Sequence, residues 1–349
     1  FSVFFVMIRS TLLVGYSDLA RSLGAEPNRL LRRSGIDPRL ENEPDSYVPF
    51  GALCDLLERT ADETGCDSFG LRLSSRQGIE SLGPVGFAMQ SSANLRDALV
   101  EYQRFQSVHM LGARGELRES TGVAYWFYHV DEPGLLGTRQ KVAQAVGLAC
   151  NIFRGLLTTG WRPSRIDMAQ SPPVDAAEYR RIFGAPMAFN AESDCITFPA
   201  EMLERPIERS NPELRRLLDR YLTEMQSGIA EDRAEQVRQA IRSCLSRQAC
   251  SIGDVANMLA VAPRTLQRQM SASGASFSQL LEEVRRETAL RHLADSRMPL
   301  TQLAAILGYS ELSAFSRAFR RWHGQSPQQW QRSRQPAGTL DTTAGLRGK

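Results

Sequence analysis

Residues 251–271 and 300–320 carry one pattern twice. The first reads Ser-Ile-Gly-Asp-Val-Ala-Asn-Met-Leu-Ala-Val-Ala-Pro-Arg-Thr-Leu-Gln-Arg-Gln-Met-Ser, and the second Leu-Thr-Gln-Leu-Ala-Ala-Ile-Leu-Gly-Tyr-Ser-Glu-Leu-Ser-Ala-Phe-Ser-Arg-Ala-Phe-Arg. Each runs from a short helix with a small packing residue, through a three-residue turn, to a second helix bearing Arg beside Ser, Thr or Gln. That succession is a helix-turn-helix. One match is common among helical hairpins. Two, with packing alanines Ala256 and Ala304 placed 48 residues apart, confine the C-terminal part of the chain to an all-helical domain built on a tandem pair.

The details follow from side-chain chemistry. Ser251 with Asp254 forms a capping box at the start of the first helix. Ala256 is small enough for a second helix to cross close above it. Ala260-Val261-Ala262 makes the turn, and Pro263 takes the first position of the next helix, where its missing N–H costs nothing. Leu266 and Met270 then face inward, leaving Arg264, Thr265, Gln267 and Arg268 outward. These side-chain types reach base edges: Arg to guanine, Gln to adenine, Thr to a thymine methyl or a phosphate. In the second unit Leu303 and Ala304 pack, Gly308 permits the turn and Ser310 is the expected cap. Phe315 and Phe319 face inward, while Leu312, Ser313, Ser316 and Arg317 face outward, with Arg320 and Arg321 further along. Arg317 has the chemistry for direct readout; the others suit phosphate or van der Waals contact. Between the units Ser276 caps a helix from Phe277 to Leu293. At about 1.5 Å per residue it spans about 27 Å, which suits two recognition helices set about one DNA turn, roughly 34 Å, apart.

Charge supports the same partner. The whole chain has a formal net charge of +3, but residues 1–232 carry 25 basic and 31 acidic side chains and residues 233–349 carry 17 and 8, a net of −6 against +9. A basic half on a nearly neutral chain points to a polyanion bound by that half.

Residues 235–334 resemble the DNA-binding domain of the AraC/XylS family of bacterial transcription regulators. The resemblance is carried by Ala304-x-x-Leu-Gly-Tyr-Ser-Glu-Leu-Ser-Ala-Phe-Ser-Arg-Ala-Phe-Arg-Arg-Trp-His-Gly-Gln-Ser-Pro327, with Thr265-Leu-Gln-Arg268 and Gly274-Ala-Ser-Phe277 in the first unit. It implies a seven-helix domain whose two recognition helices enter adjacent major grooves. By position it makes Arg264, Gln267 and Arg268, and Leu312, Ser313, Ser316 and Arg317, base-facing. Leu312 and Ala314 are less polar than many relatives have there. The resemblance also implies activation through contact with RNA polymerase and a bacterial, cytoplasmic setting.

The N-terminal part reads as mixed α and β. Residues 16–33 form two short helices whose Asp18-Leu-Ala-Arg-Ser-Leu-Gly24 imitates half a helix-turn-helix, but in the acidic half. Pro49–Thr64 and Asn94–Val108 have helical apolar spacing, Gly78, Gly83 and Gly86 mark a Gly-rich stretch, and Gln140–Leu157 is a long, mostly apolar helix. Between them Gly115–Val130 alternates and is rich in aromatic and β-branched residues, which predicts a strand pair. Arg165–Met168 is a further expected strand, Asp175–Phe183 a helix, and Pro186–Phe198 a strand pair about Asn190–Asp194. Asn211–Gln226 places Leu214, Leu218, Tyr221 and Met225 on one helical face, either a core helix or the seam of a homodimer. Gly83-Pro-Val-Gly86-Phe-Ala-Met and Tyr179-Arg-Arg-Ile-Phe183 resemble the arabinose-binding-type N-terminal domain of an AraC subgroup. That resemblance implies no sugar ligand, and the helix content sets the domain apart from the cupin barrel of the arabinose regulator itself.

The expected architecture is therefore an α+β sensor and dimerisation domain over 12–226, a linker at 227–234, an all-α domain with two helix-turn-helix units joined by a long helix over 235–334, and a disordered tail from 335 to 349. No Gly-x-Ser-x-Gly, phosphate loop, dinucleotide fingerprint or metal spacing occurs, so no catalytic residue, cofactor or metal is expected. Cys54 and Cys66 lack the reactive cluster that an alkylation-repair enzyme fused to such a module would need. His109 and His129 read as structural. One face of the aromatic strand Tyr125–Tyr128 reads as core or as the wall of an effector pocket, and Arg139 and Lys141 suit an anionic effector. The six cysteines read as reduced thiols, no apolar run reaches membrane-spanning length, and apolar Phe1–Val6, with no basic residue before it, makes a poor signal peptide, with Met7 the expected start. The expected function is an effector-responsive regulator of promoter DNA; an architectural DNA-binding protein without an effector is the alternative.

Overall fold

The computed structural model describes residues 6–334 apart from 132–134, 136, 158–159, 246–249, 260, 273 and 296–297. Contacts group these residues into two compact units, divided between Asp232 and Arg233, with 261–265 counted in the first.

The first unit runs β1 (Met7–Arg9), α1 (Tyr16–Ser22), α2 (Pro27–Arg33), β2 (Tyr47–Pro49), α3 (Phe50–Thr64), α4 (Phe69–Ser74), α5 (Pro84–Gln90), α6 (Leu95–His109), β3 (Ala113–Ser120), β4 (Val123–Val130), α7 (Arg139–Leu157), β5 (Arg165–Asp167), α8 (Ala176–Phe183), β6 (Met187–Ala188), β7 (Asp194–Pro199) and α9 (Pro212–Leu245). It is the α+β unit expected from the change of period. β1 and β2 pair antiparallel, and the other five strands form one sheet in the order β3-β4-β7-β5-β6. The β3–β4 hairpin closes with Ser120 opposite Val123, and both turn residues, Thr121 and Gly122, have positive φ, as a two-residue I′ turn requires. Alternation along β4 then sorts its side chains: Ala124, Trp126 and Tyr128 are buried on one face, while Tyr125, Phe127 and His129 stack along the other.

The strands expected across Asn190–Asp194 are both present, but they do not pair with each other. β5 lies between them, parallel to β6 and antiparallel to β7. Ile166 is fully buried and sits opposite Met187 on one side and Ile196 on the other. A simple hairpin would leave this short strand, with its buried Ile166, at an edge; insertion gives it two neighbours.

α7 is the hub of the unit and packs on α3, α4 and the sheet. Its approach to α4 needs glycine on both sides. A Cβ at Gly70 would stand 1.9 Å from the Gln140 carbonyl oxygen, and one at Gly147 would stand 2.2 Å from the Ser74 hydroxyl. The aromatic core continues from Phe153 on α7 to Trp126 and Phe198, all in edge-on contact.

Residues 227–234, expected as a linker, are helical and lie within α9. Gly228 costs a helix only about 1 kcal/mol relative to Ala, and its neighbours Glu, Arg, Ala and Gln are good helix formers, so one glycine does not end the helix. On the face with the expected 4-3-4 spacing, Leu214 and Tyr221 are exposed and Leu218 and Met225 half-buried; neighbouring Leu217 is exposed as well. Arg215 reaches Glu101 at 2.8 Å, and the Gln226 amide donates to the Arg104 carbonyl at 2.8 Å, fixing this end of α9 to α6.

The second unit is all-helical: the C-terminal part of α9, then α10 (Ile252–Met258), α11 (Pro263–Ala272), α12 (Phe277–Asp295), α13 (Leu300–Ile306), α14 (Leu312–His323) and α15 (Pro327–Arg334). The tail 335–349, turn residue Ala260 and apolar residues 1–5 lie outside the described residues.

Candidate nucleic-acid interface

Each helix-turn-helix is assembled from local signals. The capping box at Ser251 and Asp254 is formed: each side chain bonds the other residue's backbone N–H. Ser276 with Gln279 and Ser326 with Gln329 repeat the arrangement at the starts of α12 and α15. Val255, Ala256, Leu266 and Met270 are buried as expected. α12 is tied to α9 by Arg238 to Glu283 at 3.4 Å and Arg242 to Glu287 at 3.2 Å, pairs one helical turn apart on both helices.

In the second unit Phe315 and Phe319 join Ala289, Leu293, Leu303, Ala304, Leu307 and Trp330 in one core. Phe319 meets Trp330 edge-on with ring centroids 6.4 Å apart. The cap differs from expectation. Glu311, not Ser310, is the N-cap residue of α14, and it makes no side-chain cap bond; the Ser313 hydroxyl instead donates to the Glu311 carboxylate at 2.9 Å. The helix starts one residue later than the Ser310 reading requires, so Ser310 cannot reach the first free N–H groups.

The turn between α13 and α14 is held by a residue that the sequence did not single out. Arg285, from the middle of α12, donates to the Leu307 carbonyl at 2.8 Å and to the Gly308 carbonyl at 3.3 Å, and lies 4.7 Å from the Tyr309 ring centre. It satisfies carbonyls left over at the C-terminus of α13, where Gly308 takes the left-handed conformation with φ 72°. Glu282, three residues earlier, accepts from the Trp322 indole N–H at 2.5 Å and from Arg321 at 2.6 Å, and these bonds hold its carboxyl below the usual range.

The ten residues proposed for DNA contact divide by environment. On α11, Arg264, Gln267 and Arg268 are exposed along one face, whereas Thr265 is only 3% exposed. On α14, Ser313, Arg317 and Arg320 are exposed and Ser316 is half-buried. Leu312 packs against the aromatic core, and Arg321 is exposed but engaged by Glu282. Arg264, Arg317 and Arg320 make no ion pair among the described residues, so their charge is uncompensated. Arg233 on α9 adds to the positive field beside Arg268: burial, and then the Arg268 charge, push its guanidinium down to about 10, which leaves it a cation at neutral pH. Sequence reading missed it because it falls inside the expected linker.

In the first unit the two basic residues suited to an anionic ligand part company. Arg139 is held by Asp67 at 2.5 Å and Glu58 at 3.7 Å. Lys141 is buried without an ion pair among the described residues. His109 is buried, and His129 stacks on Phe127 within 3.3 Å of Glu116. Among the described residues no group of three or more His, Cys, Asp or Glu is placed to hold a metal, and no helix is long and apolar enough to cross a membrane.

Comparison with known proteins gives these parts their kin. Residues 24–207 match the family model "Arabinose-binding domain of AraC transcription regulator, N-term", and residues 255–333 match a helix-turn-helix domain. The chain is 33% identical over 326 residues to the HTH-type transcriptional regulator VirS of Mycobacterium tuberculosis, covering 93% of this chain and 96% of that one. It is 26% identical to the ornithine utilization regulator of Pseudomonas aeruginosa, covering 89% and 92%. The solved structure of the transcriptional regulator CdpR from P. aeruginosa aligns with 90% of this chain and 98% of its own at 24% identity and a TM-score of 0.41.

Proposed function

From the premise that the chain belongs to the AraC family of helix-turn-helix transcription regulators, with an arabinose-binding-type N-terminal domain, we propose that it is an effector-responsive activator that binds two successive major-groove segments of promoter DNA in the bacterial cytoplasm. The observation that carries the reading is the pair of exposed polar faces, Arg264, Gln267 and Arg268 on α11 and Ser313, Arg317 and Arg320 on α14, each directly after a helix-turn-helix turn. Arg and Gln there have the donors for guanine and adenine edges, and the uncompensated arginines supply phosphate contacts. Leu312, Ser316 and Arg321 belong to the proposed interface as flanking contacts, whereas Thr265, expected to face outward, is buried with its hydroxyl engaged and is left out of it. α12, at 19 residues, is about 28 Å long, the scale of one DNA turn.

Control of occupancy follows the general scheme in which a ligand of the first unit favours one state of the protein over another. RNA polymerase is the partner proposed for activation. The exposed residues Leu214, Leu217 and Tyr221 are proposed as a homodimer face. Nothing in the reading calls for catalysis, in keeping with relatives that are regulators.

Genome-wide mapping of sites bound by the full chain, with reporter fusions to the bound promoters, tests the proposal. Discrete promoter-proximal sites containing two half-elements about one turn apart, and reporters that fall when the gene is deleted, are expected. Uniform, sequence-independent occupancy would overturn it. Binding should also weaken steeply with salt, since each phosphate contact releases counterions.

A further inference from the structure

A cavity of about 50 Å³, partly open to solvent, lies inside the first unit between α6, β4 and α7. Its wall is apolar: Leu99, Tyr102, Trp126, Ile152 and Phe153 supply most of it. Small-molecule sites combine such walls with a few placed polar groups, and here the opening to solvent lets a ligand extend beyond the enclosed part.

Three of the polar groups that line this cavity, on Lys141, Tyr128 and His109, are incompletely satisfied among the described residues. Lys141 is 2% exposed, and its ammonium makes no ion pair among the described residues; its polar neighbour is the Tyr128 hydroxyl at 3.5 Å. That hydroxyl has only the weakly accepting Met110 sulfur, at 3.6 Å, for its own proton. His109 is 2% exposed, and its Nδ1 has no hydrogen-bond partner. A buried ammonium is costly, and burial accordingly pushes Lys141 down to about 8, with the neighbouring Cys54 thiol acting the other way, so that it is still mainly charged at neutral pH. His109 is pushed down to about 3 by burial, with the Lys141 and Arg9 charges adding, so it enters as a neutral hydrogen-bonding group. The nearby cation Arg9 is already paired with Asp45 at 2.7 Å. The cavity thus offers one net positive charge, several neutral hydrogen-bonding groups and an otherwise apolar wall.

We propose that this cavity is the effector site of the first unit and takes a monocarboxylate with an apolar tail, its carboxylate on Lys141 Nζ and the Tyr128 hydroxyl and its tail against Leu99, Trp126 and Phe153. The proposal rests on the reading of the first unit as a sensor. One negative charge neutralises the buried ammonium. A dianion would bring a charge with no partner, and a sugar would bury hydroxyls against hydrocarbon. The Tyr128 hydroxyl can turn from the Met110 sulfur to a carboxylate oxygen, a stronger acceptor.

The test uses the full chain, titrated calorimetrically with sodium octanoate and sodium decanoate, with 1-octanol and octylammonium chloride as length-matched neutral and cationic probes. The carboxylates should bind roughly tenfold tighter than the alcohol, or more, as a buried charge-assisted pair implies. Lys141→Met should reduce the carboxylates to the level of the alcohol and leave the alcohol unchanged. Equal binding of alcohol and carboxylate, an unaltered carboxylate affinity in the variant, or no binding of any probe to the wild type would overturn the proposal. The probe series on the wild type decides the matter even where the variant does not fold. Occupancy of genomic fragments selected by the wild type is measured in parallel. Carboxylate binding that leaves occupancy unchanged supports the site and counts against the sensor reading. Occupancy that responds to cell extract, while no carboxylate binds, supports the sensor reading and overturns this site.

Discussion

The two helix-turn-helix units share a backbone plan and use their side chains differently. The first has a small aliphatic interior, Val255, Ala256, Leu266 and Met270, and keeps Arg264, Gln267 and Arg268 exposed. The second has an aromatic interior around Phe315, Phe319 and Trp330, and part of its polar complement is spent internally: Arg285 on the turn carbonyls, Glu282 on Trp322 and Arg321. Equivalent positions in a repeat therefore need not do equivalent work. In the proposed complex the first unit has the groups to distinguish bases, and the second is the firmer body, anchoring through Arg317 and Arg320.

The firmness of the second unit is open to the largest disruption. Phe315 is fully buried, and Phe315→Ala should cost about 3–5 kcal/mol of stability, read by chemical denaturation. A cost under about 1 kcal/mol would mean that the aromatic core does not organise this unit. Arg285→Met comes next. It keeps most of the apolar stem but leaves the Leu307 and Gly308 carbonyls without their donor, for an expected loss of about 1.5–3 kcal/mol. Arg285 does not face the proposed DNA, so the variant should bind the operator with unchanged sequence preference once folded; altered preference would assign Arg285 to the interface instead.

The contrast in DNA reading is tested by a pair of variants. Arg268→Ala should weaken operator binding by about 1–3 kcal/mol and relax preference at one base pair. Arg320→Ala should weaken operator and random DNA alike and lower the salt slope by about 1. If the two variants behave in the same way, the division of labour between the units fails.

Much of this arrangement was legible beforehand, and what escaped has identifiable causes. The aromatic and β-branched run Val123–Val130 announced β4, and the two inward faces Leu266/Met270 and Phe315/Phe319 were readable from helical spacing, because burial follows period. The position of β5 was not, since three residues carry no period and their neighbours are chosen by the sheet. The boundary between the two units does fall within 227–234, but the segment is helical and no linker, because the helix formers around Gly228 outweigh one glycine. Arg285 looked like a surface charge: its partners are backbone carbonyls 22 and 23 residues away, and backbone acceptors leave no mark in sequence. The burial of Lys141 was not legible for a related reason. A lysine is nearly always at the surface, and only the packing of α7 against β4 and α6 shows that this one is not.

The smallest effect separates the units at their caps. Ser251 bonds the backbone N–H of Asp254 within a formed capping box, so Ser251→Ala should cost about 1 kcal/mol. Ser310 stands one residue before the N-cap of α14 and is exposed, so Ser310→Ala should fall within about 0.5 kcal/mol of wild type. Thermal or denaturant unfolding of the two variants side by side gives the comparison. Equal losses would mean that Ser310 does cap α14 in solution. A loss confined to Ser251→Ala would show that the first unit relies on a local cap at the start of α10, whereas α14 of the second starts without one and depends on its core and on the turn held by Arg285, so the units differ in how they are held as well as in what they present.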